Sequence, residues 1–221
     1  MITSREIRLK SRPVGMPNAD NFELATVSVP RPAPGEVQVQ NLWMTVDPYM
    51  RNRMAHRASY ATSSQLSKDV SGGAIAEIAA SNSTMYGWRP PFQLGEALDG
   101  GAIGEVAASD DPRFNPGDLV SSVFGWRERF NTPAGTLQKL DAFGLPPQAF
   151  LGVAGMPGLT AWVGLLKIAM LKPGDVVFVS VASGAVGSVV CQIAKLKGHT
   201  VIGSAGGAAN PTTISLTSTQ G

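Results

Sequence analysis

The stretch that decides the fold is Asp175–Gly203, DVVFVSVASGAVGSVVCQIAKLKGHTVIG. An apolar strand leads into a loop of small residues, and a helix and a second apolar strand follow. This order is typical of the phosphate-binding half of a dinucleotide fold. Small side chains let backbone N–H groups approach a pyrophosphate, and the positive N-terminus of the helix points at the same anion. The pattern predicts a nucleotide site at the loop Ala182-Ser183-Gly184-Ala185-Val186-Gly187.

The loop departs in one place from the usual G-x-G-x-x-G spacing. Ala182 occupies the first glycine position and adds a Cβ at the tight turn. The backbone tolerates that Cβ if φ stays negative. Small-residue turns between a strand and a helix also occur in α/β proteins without nucleotides, but the strand–loop–helix–strand context favours a nucleotide site.

The region after the second strand bears on which dinucleotide is bound. Folds selective for NAD place Asp or Glu about twenty residues past the loop, where it binds the ribose 2′-hydroxyl. Here that region reads Ile202-Gly203-Ser204-Ala205-Gly206-Gly207, and no carboxylate follows Asp175. The absence favours NADP(H), with Ser204 near the cofactor. The alternative is that the rest of the site is missing and the sequence carries no information on this choice.

Composition narrows the class of protein. The chain has 221 residues, 43% of them apolar and 15% charged, with a formal net charge of +2. No run of Lys and Arg suggests nucleic acid, and no apolar stretch is long enough to span a bilayer. The N-terminus shows no secretory signal, so we expect a cytoplasmic protein. One cysteine and two histidines, Cys191, His56 and His199, give no disulfide and no metal cluster.

The order of patterns predicts two domains and a tail. Strict alternation over 36–40 indicates a strand, and helical periodicity begins only near Pro157. Apolar residues at helical spacing predict the apolar faces of two helices: Leu159, Trp162, Val163, Leu166 and Ala169 or Met170 in the first, and Val186, Val189, Val190, Ile193 and Leu196 in the second. We therefore expect a β domain over 1–125, an α/β domain beginning over 126–207, and a disordered, uncharged tail over 208–221.

The β domain contains an internal repeat. Gly72-Gly73-Ala74-Ile75-Ala76-Glu77 recurs as Gly100-Gly101-Ala102-Ile103-Gly104-Glu105, and the likeness extends over 65–89. Two copies are too few for a solenoid. The repeat is either a duplicated strand or a scar of recombination or gene prediction. We expect the second copy to form the native strand, because it leads into the turn Pro116-Gly117-Asp118.

Four stretches resemble a known family, the zinc-independent medium-chain dehydrogenases/reductases, and in particular the alkenal double-bond reductases that include prostaglandin and curcumin reductases. They are Trp43–Arg51, Pro91–Gly101, Gly152–Ala161 and Asp175–Gly206. The resemblance implies a GroES-like β-barrel domain on the substrate side, followed by a doubly wound Rossmann domain that holds NADPH. It also implies reduction of the C=C bond of an α,β-unsaturated aldehyde or ketone without a metal.

The resemblance also implies roles for particular residues. Tyr49 matches the family's aromatic residue at the substrate cleft and is the candidate catalytic residue. Met156 and Thr160 match positions near the cofactor. The pyrophosphate would be lined by the loop residues Ala182, Ser183, Gly184, Val186 and Gly187.

The chain differs from the family pattern towards its C-terminus. The family's lysine a few residues beyond Ser204-Ala205-Gly206-Gly207 is replaced by Ala208-Ala209-Asn210-Pro211, and the later Rossmann strands are absent. We therefore expect a C-terminally truncated member with an unpaired strand edge and exposed apolar surface. A family-type homodimer is not expected, because its strands would lie in the missing part. The alternative to an active reductase is an inactive remnant or a non-catalytic interaction module.

Overall fold

The structure is a computed structural model that describes residues 1–55 and 91–206 and the backbone of 211–216. It divides into two compact units, Met1–Phe143 and Gly144–Gly221. The first copy of the repeat, at 65–89, lies outside the described residues. So do residues 207–210 and 217–221 of the predicted tail.

The first unit is built from β-strands. Their bounds are β1 Ile2–Leu9, β2 Phe22–Val29, β3 Glu36–Met44, β4 Ala102–Ser109, β5 Leu119–Ser122, β6 Arg129–Pro133 and β7 Gln138–Lys139. Five of them form a sheet in the order β6-β3-β4-β5-β7, and β1 pairs only with β2. An isolated bridge between Glu6 and Arg127 connects β1 to the residues before β6. The strands described here therefore form no closed barrel, in contrast to the barrel that the resemblance implies.

The core of the first unit lies along β3 and β4. Alternation along β3 sends Val37 and Val39 inward, as the sequence predicts, and both are fully buried. They pack with Val106 of β4 and Phe130 of β6. Because β4 pairs with β3 on one side and β5 on the other, it is a central strand.

The second copy of the repeat forms β4, as expected from the turn that follows it. The structure supplies a further reason. At Gly104 an added Cβ would lie only 2.5 Å from Val39 Cγ1 and 2.7 Å from the Gln40 carbonyl oxygen. The first copy carries Ala76 at the equivalent position. Its methyl group does not fit at this position unless β3 moves.

The predicted domain boundary is too early. Residues 126–143 belong to the first unit, because β6 pairs with β3 and β7 pairs with β5. The α/β unit begins at Gly144. Pairing between strands distant in sequence decides which residues belong to the first unit.

The second unit contains the predicted strand–helix–strand order. Its elements are helix α2 Met156–Trp162, a π-helical continuation Val163–Ile168, strand β8 Val176–Val179, helix α3 Gly187–Leu196, and strands β9 Thr200–Gly206 and β10 Pro211–Leu216. The sheet order is β10-β9-β8, with β8 and β9 parallel. Because β10 pairs antiparallel with β9, the prediction of a disordered tail is wrong for these six residues. The β-branched residues of this segment suit an edge strand.

The two helices bury faces that differ in part from the predicted ones. In α2 the buried residues are Gly158 and Ala161, whereas Leu159 and Trp162 are exposed. In α3 the predicted residue Val189 is buried, but Leu196 is 88% exposed at the helix end. One apolar cluster lies between the helices and the sheet. Its buried residues are Leu165, Val177, Val179, Cys191, Ala194 and Val201.

The opposite side of this sheet is uncovered among the described residues. Val176 and Phe178 are 61% and 65% exposed, while Val177 and Val179 on the same strand are buried. β8 pairs only with β9, so its other edge has no partner within the described part of the chain. The predicted unpaired edge and exposed apolar surface are therefore both present.

Candidate functional site

The nucleotide loop lies at the carboxyl end of the two parallel strands. It occupies residues 180–186 between β8 and α3. The Ala182 N–H donates to the Ser204 carbonyl oxygen at 2.8 Å, which holds the loop against the end of β9. The structure thus places Ala182, Ser183, Gly184, Val186, Gly187 and Ser204 at one edge of the sheet. In open α/β sheets this edge is where ligands bind.

Glycine at position 187 is required by close packing. An added Cβ would lie 2.3 Å from the Val181 carbonyl oxygen. At Gly184 the same carbonyl oxygen would be 3.1 Å from an added Cβ, which is tight but less severe. The first turn of α3 therefore starts directly against the end of β8. This contact is the role of the third glycine in dinucleotide-binding loops.

The backbone at the start of the loop is strained at Val181. Its φ is 53°, in the left-handed region that β-branched residues rarely adopt. Ala182 is not among the residues with positive φ. The backbone at this position therefore accommodates the Cβ of alanine, as the sequence analysis required. Such strained residues often occur at ligand-binding turns. No sequence signal marks Val181, because its apolar side chain continues the strand pattern.

The loop presents backbone donors for an anion. Within the described residues, the N–H groups of Ala185, Val186 and Gly187 have no hydrogen-bond acceptor. The helix ladder begins after them, with the Ser188 N–H donating to the Gly184 carbonyl oxygen at 2.9 Å. Free N–H groups and the helix dipole together suit a phosphate. The residues present therefore fit a pyrophosphate held by backbone.

Met156 and Thr160 lie one turn apart on α2 and are both exposed. The Thr160 hydroxyl is 3.4 Å from the Met156 sulfur. The start of α2 is fixed by Gly158, where an added Cβ would lie 1.8 Å from the Val153 carbonyl oxygen. A nearby apolar hollow of about 380 Å³ does not include Met156 or Thr160 in its lining. Its lining residues are Val153, Ala154, Gly155, Gly158, Leu159, Trp162, Val189 and Ile193.

Tyr49 lies in the first turn of α1, Pro48–Met54, in the first unit. Its side chain is 36% exposed. Pro48 suits the start of a helix because its missing N–H has no intrahelical partner there. Asp47 precedes the helix and accepts a hydrogen bond from the Thr45 hydroxyl. Tyr49 is the aromatic residue of this helix and is partly exposed at its start.

Two further reactive side chains of the second unit, Cys191 and His199, are buried. Cys191 is buried on the sheet side of α3, as the sequence suggests, and burial raises the pKa of its thiol. The His199 ring is buried, with Nδ1 3.1 Å from the Asp175 carbonyl oxygen. Over the described ranges, no three His, Cys, Asp or Glu side chains are grouped to hold a metal ion. In the same ranges no helix is long and apolar enough to cross a membrane.

A family model described as the N-terminal domain of oxidoreductase matches the first unit. It matches twice, over residues 5–88 and 83–140, so each match contains one copy of the repeat. Together the matches cover more than half of the chain. The chain belongs to this family.

Individual proteins extend the likeness into the second unit. The NADPH-dependent curcumin reductase of Escherichia coli is 36% identical over 90% of this chain and 50% of its own length. The 2-alkenal reductase (NADP⁺-dependent) of Nicotiana tabacum is 34% identical over 93% of this chain and 53% of its own length. The chain thus spans about half the length of these relatives.

A solved structure agrees with these matches. The crystal structure of CurA from Vibrio vulnificus in complex with NADPH has a TM-score of 0.72 and 38% identity. The match covers 92% of this chain and 52% of that chain. The predicted combination of a GroES-like domain with the beginning of a Rossmann domain is therefore confirmed, apart from barrel closure.

Proposed function

We propose that the chain is part of an NADPH-dependent reductase that acts on the C=C bond of α,β-unsaturated aldehydes or ketones. The loop at 182–187 carries the proposal, because its free N–H groups fit a pyrophosphate. The names of the relatives supply the reaction class. Since the chain covers about half of each relative, the activity of this chain needs a direct test.

The second unit holds the cofactor in this proposal. The N–H groups of Ala185, Val186 and Gly187 donate to the pyrophosphate, with Ser183 and Gly184 at the same turn. Ser204 lies at the end of β9 without a carboxylate beside it, which leaves room for a 2′-phosphate and favours NADP(H) over NAD. Met156 and Thr160 contact the cofactor from α2. When bound, NADPH supplies a hydride for the β-carbon of the substrate.

Tyr49 acts on the substrate in this proposal. Its hydroxyl donates a hydrogen bond to the carbonyl oxygen, where negative charge develops as the C=C bond is reduced. A donor aimed at that oxygen stabilises the enolate. This chemistry requires no zinc, and the sequence holds only one cysteine and two histidines. We place the reductase in the cytoplasm, with a small-molecule enone or enal as its substrate.

A second candidate is a non-catalytic binding module. The observation that favours it is the uncovered apolar face of β8, formed by Val176 and Phe178. Exposed apolar surface next to an unpaired strand edge favours association with another chain. In that case the loop would be retained without turnover.

NADPH consumption with 2-nonenal separates the two candidates. We expect turnover above the rate of cofactor alone, and NADPH binding by calorimetry. Gly187→Ala should abolish NADPH binding, because the added methyl group forces the loop off the strand end. Tyr49→Phe should lower kcat and leave NADPH affinity unchanged. Gly135→Ala is the matched control, since an added Cβ there meets nothing within 4 Å.

The outcomes are distinct. NADPH binding without turnover, in folded protein, supports the binding module and contradicts the reductase. Neither binding nor turnover contradicts the cofactor site itself. Equal NADPH affinity in Gly187→Ala and wild type would show that the loop does not hold the pyrophosphate.

A further inference from the structure

The position of Tyr49 depends on contacts outside its own helix. α1 has only seven residues, and so short a helix is not stable in water by itself. Its buried residues are Met50, Arg53 and Met54. Tertiary anchors must therefore fix the first turn, which carries the phenol.

Arg53 makes the most extensive of these anchors. Its side chain is nearly buried, with 6% of the residue exposed. The guanidinium pairs with both carboxylate oxygens of Asp99, and the Nη2–Oδ2 distance is 2.9 Å. It also stacks 3.9 Å over the Phe92 ring. A planar guanidinium satisfies both contacts at once, whereas an ammonium does not.

A second arginine, Arg12, fixes the same C-terminal end of the helix. Arg12 Nη1 donates to the Met54 carbonyl oxygen at 3.1 Å, and Nη2 donates to the Phe92 carbonyl oxygen at 3.1 Å. The Phe92 N–H donates in turn to the Arg53 carbonyl oxygen at 2.8 Å. A cation at these last carbonyls also complements the helix dipole. The C-terminal turn of α1 is thus tied to Phe92.

We infer that Arg53 is a positioning residue for Tyr49. Tyr49 and Arg53 are four residues apart and therefore lie on the same side of α1. Because the Arg53 guanidinium is held in one plane, it fixes the orientation of α1, and with it the orientation of the turn that carries the Tyr49 phenol. Asp99 and Phe92 fix that plane. The inference rests on the proposed function, because it assigns Arg53 a part in orienting the substrate donor. In this inference Arg53 acts through Tyr49 and has no direct part in the reaction.

Arg53→Lys is the first test, because it keeps the charge and removes the planar contacts. We expect kcat with 2-nonenal to fall about tenfold to a hundredfold, since small misplacements of a catalytic group have effects of this size. KM for NADPH should stay unchanged, because the cofactor loop lies in the other unit. Arg113→Gln is the matched control: it removes an exposed arginine paired with Asp111 and should behave as wild type.

A second variant and a second measurement make the test independent of folding and activity. Arg53→Met combined with Asp99→Asn removes both charges, and such neutral replacements often preserve the fold. Fluorine NMR of 3-fluorotyrosine protein, with the Tyr49 signal assigned through Tyr49→Phe, reports the environment and the mobility of the phenol without requiring turnover; Arg53→Lys, which keeps the charge, separates a movement of the ring from the loss of a nearby charge. We expect the Tyr49 signal to shift or broaden in both arginine variants and to stay in place in Arg113→Gln.

Each outcome decides the inference. An unchanged Tyr49 signal together with unchanged kcat in Arg53→Lys overturns it. A wild-type protein without turnover contradicts the proposed reductase, while the fluorine signal still shows whether Arg53 sets the place of Tyr49. A loss of NADPH affinity in Arg53→Lys would indicate general unfolding and would also contradict the inference.

Discussion

A central strand of the first unit, β4, and an edge strand of the second, β8, differ in how much of their surface is covered. β4 is paired along both edges, and its residues Ala102, Ile103 and Val106 are buried. β8 is paired along one edge, and its residues alternate between buried Val177 and exposed Phe178. A parallel strand that reads VVFV is normally buried on both faces. The apolar content of a strand therefore indicates how much of its surface should be buried. Only the pairing and packing in the structure show how much of that surface is buried.

This difference matters for function because each unit carries one half of the proposed chemistry. Tyr49, the proposed substrate residue, lies on the unit whose central strand β4 is paired along both edges. The cofactor loop lies on a unit whose sheet is covered on one side only. We therefore expect substitutions in β4 to change stability strongly and substitutions on the outer face of β8 to change mainly solubility.

Ile103→Ala should have the largest effect. The residue is 1% exposed, and removing its side chain leaves a cavity that costs about 2–5 kcal/mol. Urea unfolding followed by tryptophan fluorescence measures this loss. The first copy of the repeat carries Ile75 at the equivalent position. A loss well below 1 kcal/mol would show that the first copy replaces the second in the sheet, and would contradict the assignment of β4.

Gly104→Ala should cause the second-largest loss of stability. The added methyl group overlaps Val39 and the Gln40 carbonyl oxygen, and overpacking of this kind costs about 1–3 kcal/mol. The same urea titration reports it, with Gly135→Ala as the control of equal chemistry in open space. If both alanine variants unfold at the same urea concentration, steric exclusion of Ala76 does not explain why the second copy forms β4.

Local patterns in the sequence were sufficient to predict the strand–loop–helix–strand unit. The loop, its glycines and the carboxyl-end position of Ser204 depend on neighbours close in sequence. Tyr49 was identified from the family resemblance. The strain at Val181 had no signal, because backbone conformation there results from packing of α3 against β8.

Other features of the fold could not be predicted, because they depend on contacts between residues that are distant in sequence. The pairing of Arg129–Pro133 with β3 moved the unit boundary, and no periodicity encodes that pairing. Leu196 fits the apolar stripe of α3 but lies beyond the cover of the sheet. The anchors Arg53 and Asp99 are 46 residues apart, and nothing in a single sequence shows that they meet. The burial of a helix depends on the element that packs against it. A helical pattern in the sequence therefore predicts which face is apolar, but it does not identify the element that covers this face.

Phe178→Thr tests the uncovered face of β8. Threonine keeps the strand preference and removes the exposed ring, so the free energy of unfolding should change by less than about 0.5 kcal/mol. The aggregated fraction in size-exclusion chromatography should fall. Val177→Thr is the matched control on the buried side of the same strand, and burying its hydroxyl should cost about 1–3 kcal/mol. A large loss of stability in Phe178→Thr would mean that another chain covers this face in solution.

Asp111→Asn should have the smallest effect, and the size of that effect depends on pH. Hydrogen bonds from the Arg113 side chain and backbone N–H lower the pKa of Asp111 to about 2. The carboxylate therefore stabilises the folded state fully above the unfolded pKa of about 3.9, and this stabilisation is lost as the pH falls towards 2. Asparagine keeps the acceptor for the Arg113 N–H, so the variant lacks only the charge. The difference in Tm between wild type and variant should be constant above pH about 5 and shrink below pH about 4. A difference that is the same at every pH would identify a steric cause and show that the Arg113 contact does not act through charge.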